Sequence, residues 1–107
     1  MMPDLEIAPA DVKKMMDNRE DFILLDVREL WEHETAHIEG STLIPLNDLP
    51  DRLARLPKDK LIVTQCHHGS RSLSAARYLR SYGYNAKSMK GGIEEWSRTV
   101  DKKVPTY

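Results

Sequence analysis

With 107 residues, 40% of them hydrophobic, the chain is long enough for one modest core and too short for two domains. Sixteen basic and 17 acidic residues leave a formal charge of -1, which gives no reason to expect nucleic acid or an anionic membrane surface as a partner. The longest apolar run, Phe22-Ile23-Leu24-Leu25, stops at Asp26, far short of a membrane span.

The amino end, Met1 to Glu6, has neither a basic nor an apolar leader region, so no signal peptide is expected. Residues 10–17 then read as a helix with Val12, Met15 and Met16 on one face, and 22–27 as a strand. Residues 29–34 form a short charged turn or helix, 42–46 a strand, and 47–56 a helix with Leu49, Leu53 and Leu56 on one side. A strand follows over 61–65. A longer helix covers 70–82, with Leu73, Ala76 and Leu79 in register and Gly83 as its C-cap. A strand over 86–89 and a short helix over 92–98 complete the pattern. The alternation implies an α/β domain whose central sheet is mostly parallel, with helices on both faces. One domain is expected over 1–107, its core at about 5–98 and a tail over 99–107.

The most reactive feature is the run Cys66-His67-His68-Gly69-Ser70-Arg71, between the 61–65 strand and the 70–82 helix. It holds the chain's only cysteine. Parallel sheets bind ligands outside the carboxyl ends of their strands, and Cys66 falls there. N–H groups of such a turn converge into an anion nest, and the helix adds its positive end, which together favour a nucleophilic thiolate. A buried core cysteine is the plainer alternative, and the polar residues that follow argue against it. Gly69 provides backbone freedom and close approach. Ser70 either caps the helix or touches substrate. Arg71 either clamps an anion or lies on the first-turn surface. His67 and His68 either place a cation near an anionic donor or face solvent. A single cysteine makes no internal disulfide, which fits a reducing, cytoplasmic setting.

Leu24-Leu25-Asp26-Val27-Arg28-Glu29, Trp31-Glu32, His37-Ile38-Glu39-Gly40-Ser41 leading to Ile44-Pro45-Leu46, then Cys66 to Arg71, and finally Gly91-Gly92-Ile93 with Trp96, resemble in order and spacing the landmarks of single-domain rhodaneses. The likeness runs from about Leu5 to Trp96. It departs at the histidine landmark, where Ala36 precedes and Gly40-Ser41 follows instead of glycine and Gly-Ala. The resemblance implies a rhodanese-like fold and a sulfurtransferase. Cys66 would take a sulfane sulfur from thiosulfate or a persulfide donor and pass it to a thiol or cyanide. His67, His68, Gly69, Ser70 and Arg71 would form the persulfide-binding loop, with Arg71 turned inward, and Asp26 with Arg28 would support it, as an ion pair or through loop-holding hydrogen bonds. No cofactor or metal is expected. The tail, Trp96 to Tyr107, resembles the ends of rhodanese domains fused to enzymes that activate sulfur-carrier proteins, so a sulfur carrier or a persulfide-donor protein is a possible partner. The alternative for the tail is simple packing of Val104 and Tyr107.

Three readings compete with this one. His33-Glu34-Thr35-Ala36-His37 matches the zinc-protease pattern H-E-x-x-H, but Gly40 and Pro45 leave little helix, and Leu43 stands where a third histidine is wanted. A cysteine phosphatase of related fold would have one more residue between cysteine and arginine than the four present here. A non-catalytic binding module of this type would usually have lost the cysteine.

Overall fold

A computed structural model describes residues 4–107; Met1 to Pro3, which belong to the amino end read as leaderless, lie outside the described residues. The elements are β1 (Glu6–Ile7), α1 (Pro9–Asp17), β2 (Phe22–Asp26), α2 (Leu30–Thr35), β3 (Thr42–Leu43), α3 (Leu49–Arg52), β4 (Leu61–Gln65), α4 (Ser70–Ser81), β5 (Ala86–Met89) and α5 (Gly92–Thr99). The strands form one sheet in the order β1-β5-β4-β2-β3, and every pairing is parallel. β4 is therefore the middle strand.

Side chains alternate along a strand, so each inner strand feeds two cores. On one face Leu25, Ile62 and Ala86 pack with Leu49 and Leu56 around α3 and with Ala75, Ala76 and Leu79 of α4. On the other, Leu24, Val63 and Met89 meet Val12 of α1, and Ile93 and Trp96 of α5. Both faces are thus covered by helices, as the near-continuous apolar strands require.

The expected 47–56 helix breaks into three pieces. Pro50 has no N–H to donate and so restarts the coil, leaving 3-10 turns at Leu46–Asp48 and Leu53–Arg55 on either side of α3. Leu49 and Leu56 are buried all the same. The 42–46 strand shortens at Pro45 for the same reason, although Ile44 and Leu46 still donate to Asp26 and Val27 carbonyls at 2.9 and 3.0 Å. β1 has no counterpart in the sequence reading, being only two residues long. Gly83 does terminate α4, with φ of +88° and its N–H on the Arg80 carbonyl. Among the described residues no helix is long and apolar enough to cross a membrane.

Candidate active site

β4 delivers Cys66 to the carboxyl end of the sheet, and the chain turns through His67, His68 and Gly69 into α4. The Cys66 thiol is buried, at 1% exposure, on the same face as Ile62. Sγ accepts N–H groups from Gly69 at 3.1 Å and from Ser72 at 3.3 Å. Gly69, the residue that enters α4, has φ of +112°, which an L side chain rarely adopts. Ser70 does not cap: it is the first helical residue, exposed, with Gly69 at the N-cap. The buried Ser72 hydroxyl lies 3.4 Å from Sγ, donates to the Gly69 carbonyl at 3.1 Å, and sits 2.7 Å from the Ser88 hydroxyl of β5. These bonds tie the loop to the neighbouring strand.

The loop is held from behind by α5. Ile93 and Glu94, at the start of α5, donate to the Cys66 and His67 carbonyls at 2.8 and 3.1 Å. This approach needs Gly92: a Cβ there would lie 2.4 Å from both carbonyl oxygens, and its φ is +64°. Gly91 N would be 3.3 Å from a Cβ on Gly69, so loop and α5 meet backbone to backbone. The Gly91-Gly92-Ile93 landmark is therefore the floor of the cysteine loop.

Arg71, expected to turn inward toward an anion, is paired with a carboxylate of this chain. Its guanidinium binds both Glu32 oxygens, at 2.6 and 2.8 Å, and so ties α4 to α2. Glu32 is buried at N3 of α2, where it also accepts the Glu29 N–H in a capping box. The Arg71 bonds hold the Glu32 carboxyl down at about 2 against burial, helped by the Tyr107 hydroxyl, which donates to it at 2.6 Å. Arg71 is raised in turn, chiefly by the Glu32 bonds. Burial, then Glu32, pushes the Tyr107 phenol up to about 12. Asp26 and Arg28 form the expected ion pair, both fully buried, with bonds of 2.7 and 2.8 Å. Arg28 also donates to the Glu32 and Ala36 carbonyls and to Tyr107 Oη. It therefore pins α2 and the tail to the end of β2.

His67 stacks between His68 and Tyr107, with ring centroids 3.9 and 4.1 Å away. Burial and the neighbouring His68 lower its pKa. Its Nε2 has no hydrogen-bond partner and lies 3.9 Å from Glu94 Oε1. The H-E-x-x-H histidines do not share a stable helix. α2 ends at Thr35, His33 Nδ1 contacts Asp26 at 2.9 Å, and His37 Nδ1 contacts the His33 carbonyl at 3.1 Å.

The sequence reading missed Ser72, Ser88, Glu94 and Tyr107 as parts of this assembly, and saw Glu32 only as a landmark. The Glu29–Glu32 spacing of a capping box was a usable signal; the others are joined by tertiary contacts without a motif.

The rhodanese-like domain family model matches residues 8–99. The chain is 33% identical over 91 residues to the putative sulfurtransferase YtwF of Bacillus subtilis, covering 85% of this chain and 88% of that protein. It is 32% identical over 104 residues to the probable adenylyltransferase/sulfurtransferase MoeZ of Mycobacterium tuberculosis. That match covers 94% of this chain and 26% of MoeZ, so the chain spans about a quarter of that longer relative. The crystal structure of a rhodanese-related protein from Thermoplasma volcanium superposes with a TM-score of 0.80 at 33% identity, covering 89% and 92% of the two chains.

Proposed function

The chain belongs to the rhodanese-like domain family, with relatives named as sulfurtransferases, and from that premise we propose that it moves a sulfane sulfur by way of a persulfide on Cys66. The observation that carries this reading is the pair of loop N–H groups on Sγ, from Gly69 and Ser72, at the end of the central strand.

The Cys66 thiolate attacks the outer sulfur of thiosulfate or of a persulfide donor. A new S–S bond forms, the donor's S–S bond breaks, and its electron pair leaves on sulfite or on the donor thiolate. In the second displacement a thiolate or cyanide attacks the terminal sulfur, and the electron pair returns to Cys66 Sγ. Negative charge rests on sulfur before and after each step. Donors fixed before the reaction stabilise that charge without reorganising, and here they are backbone N–H groups on a floor built by α5. His67 and His68 would border the incoming donor; Gly69 and Ser70 shape the turn. Arg71 holds the loop to α2 through Glu32, a positioning role. A sulfur-carrier or persulfide-donor protein is the proposed partner alongside small sulfur donors, on the resemblance of the Trp96 to Tyr107 tail.

The test is intact mass measurement after thiosulfate treatment. One added sulfur, removed by dithiothreitol and absent from Cys66→Ala, is the expected result. Cys66→Ala should also abolish thiosulfate:cyanide transfer while remaining folded. Transfer by a folded Cys66→Ala protein would end the persulfide reading, since no second thiol is present to replace it.

A further inference from the structure

We propose that His67, His68 and Glu94 form a site for one divalent transition-metal cation of the zinc class, beside the cysteine loop and independent of the cysteine. This assignment does not rest on the proposed sulfur transfer. Glu94 stands 26 residues after His68 and no motif links them. The fold joins them through the bond from Glu94 N–H to the His67 carbonyl.

One ligand atom from each of the three residues lies within 4.8 Å of the other two. The His67 ring lies flat against the Tyr107 ring, which holds its direction on that side, while the exposed His68 ring must turn out of its stack on His67 to ligate the same ion. His67 Nε2 is shielded from solvent yet has no hydrogen-bond partner among the described residues. Leaving a polar atom in that state costs about 1–3 kcal/mol, which an electron-pair acceptor at this position would recover. Two imidazoles and one carboxylate make up a donor set that zinc favours, with a position left open for water. Calcium and magnesium prefer all-oxygen shells, so this set disfavours them.

Ligand bonds of about 2.0–2.2 Å in tetrahedral geometry place ligand atoms about 3.3 Å apart. The cluster must therefore tighten, and the members that need to move are free to do so. His68 is exposed. Among the described residues the Glu94 carboxylate makes only long contacts, 3.9 Å to the His67 ring and 4.0 Å to the exposed Arg98, which cost little to break. Cys66 is the obvious competitor for a soft metal, but its sulfur is buried and faces the Gly69 and Ser72 N–H groups.

The experiment titrates chelator-treated protein with Co2+, follows the visible ligand-field bands, and then displaces the cobalt with Zn2+. One equivalent should bind equally well to the parent and to Cys66→Ser, with no thiolate-to-cobalt charge-transfer band in either. Glu94→Gln and His68→Ala, each checked for native circular dichroism, should each bind at least 10-fold more weakly, since even an outer-shell loss costs roughly 10- to 100-fold. Imidazole 15N spectra supply a second measurement: zinc should shift His67 and His68 and leave His33 and His37 unchanged. Absence of stoichiometric binding, loss of binding in Cys66→Ser, an unweakened Glu94→Gln, or shifts confined to His33 and His37 would each overturn the assignment.

Discussion

Replacing Glu32 by glutamine tests whether the loop is held from α2. The substitution keeps the side chain's shape and removes the charge that Arg71 grips with both nitrogens. The carboxyl lies at about 2 instead of its ordinary 4.5. That difference corresponds to about 3 kcal/mol. The Arg71 side chain is 36% exposed, so solvent screening reduces the net value to about 2 kcal/mol. A depressed carboxyl contributes in full above its unfolded value and loses the contribution as pH falls toward the folded one. Glu32→Gln should therefore be about 2 kcal/mol less stable than the parent at neutral pH, roughly 8 °C in Tm for a chain of this size. The gap should close between pH 4.5 and about 2. Urea unfolding followed by circular dichroism at a series of pH values measures it. Sulfur transfer should fall as well, because Arg71 would no longer fix the first turn of α4. A gap that stays constant with pH, or no gap at neutral pH, would show that the pair does not hold the loop.

The floor of the loop is tested by Gly92→Ala, whose Cβ would lie 2.4 Å from two backbone oxygens at φ of +64°; a loss of about 3 kcal/mol in thermal unfolding is expected, and a stable, active variant would refute the close-approach argument. Ser72→Ala leaves the buried Ser88 hydroxyl without its partner and should cost about 1–3 kcal/mol, while kcat falls by less than the roughly 100-fold that loss of an oxyanion donor costs, because both N–H groups remain. A kcat lowered roughly 100-fold or more by Ser72→Ala would show that the two N–H groups are not the main donors to the sulfur. Inserting one glycine after Gly69 should widen the loop and lower sulfur transfer by up to roughly 100-fold, since donor placement matters at a scale of about 1 Å. Transfer equal to the parent's would show that loop size does not set the reaction.

The sheet was legible because its inner strands are short, apolar and bounded by turn residues, and because the α4 pattern of Leu73, Ala76 and Leu79 repeats at helical spacing. β1 escaped because two residues carry no periodicity, and the 47–56 helix was overextended because the leucine spacing outweighed Pro50. At the site, Cys66 and Gly69 were readable from their place between strand and helix. Arg71 was read without its protein partner. A sequence shows that an arginine closes the loop, but not that a buried carboxylate 39 positions earlier takes both of its donors. Tyr107 is the extreme case: it lies 75 residues from Glu32, and tertiary contacts alone, Val104 and its own ring on the α5 core with Arg28 on its hydroxyl, bring it back.

The partner of Arg71 also bears on which reaction the loop suits. A phosphoryl group in transfer spreads charge over three oxygens and draws on a planar guanidinium that binds two of them at once. Here that fork is committed to Glu32, and releasing it would leave a buried carboxylate without its counter-ion. The donors left facing Sγ are the Gly69 and Ser72 N–H groups, with the Ser72 hydroxyl nearby. Such a set matches the charge of a single sulfur atom and is too small for three oxygens. The four-residue spacing between Cys66 and Arg71 and the occupied guanidinium therefore point the same way, to sulfur chemistry over phosphoryl transfer. They do so by independent routes, since the first concerns how many N–H groups the turn presents and the second concerns where the nearest cation is spent.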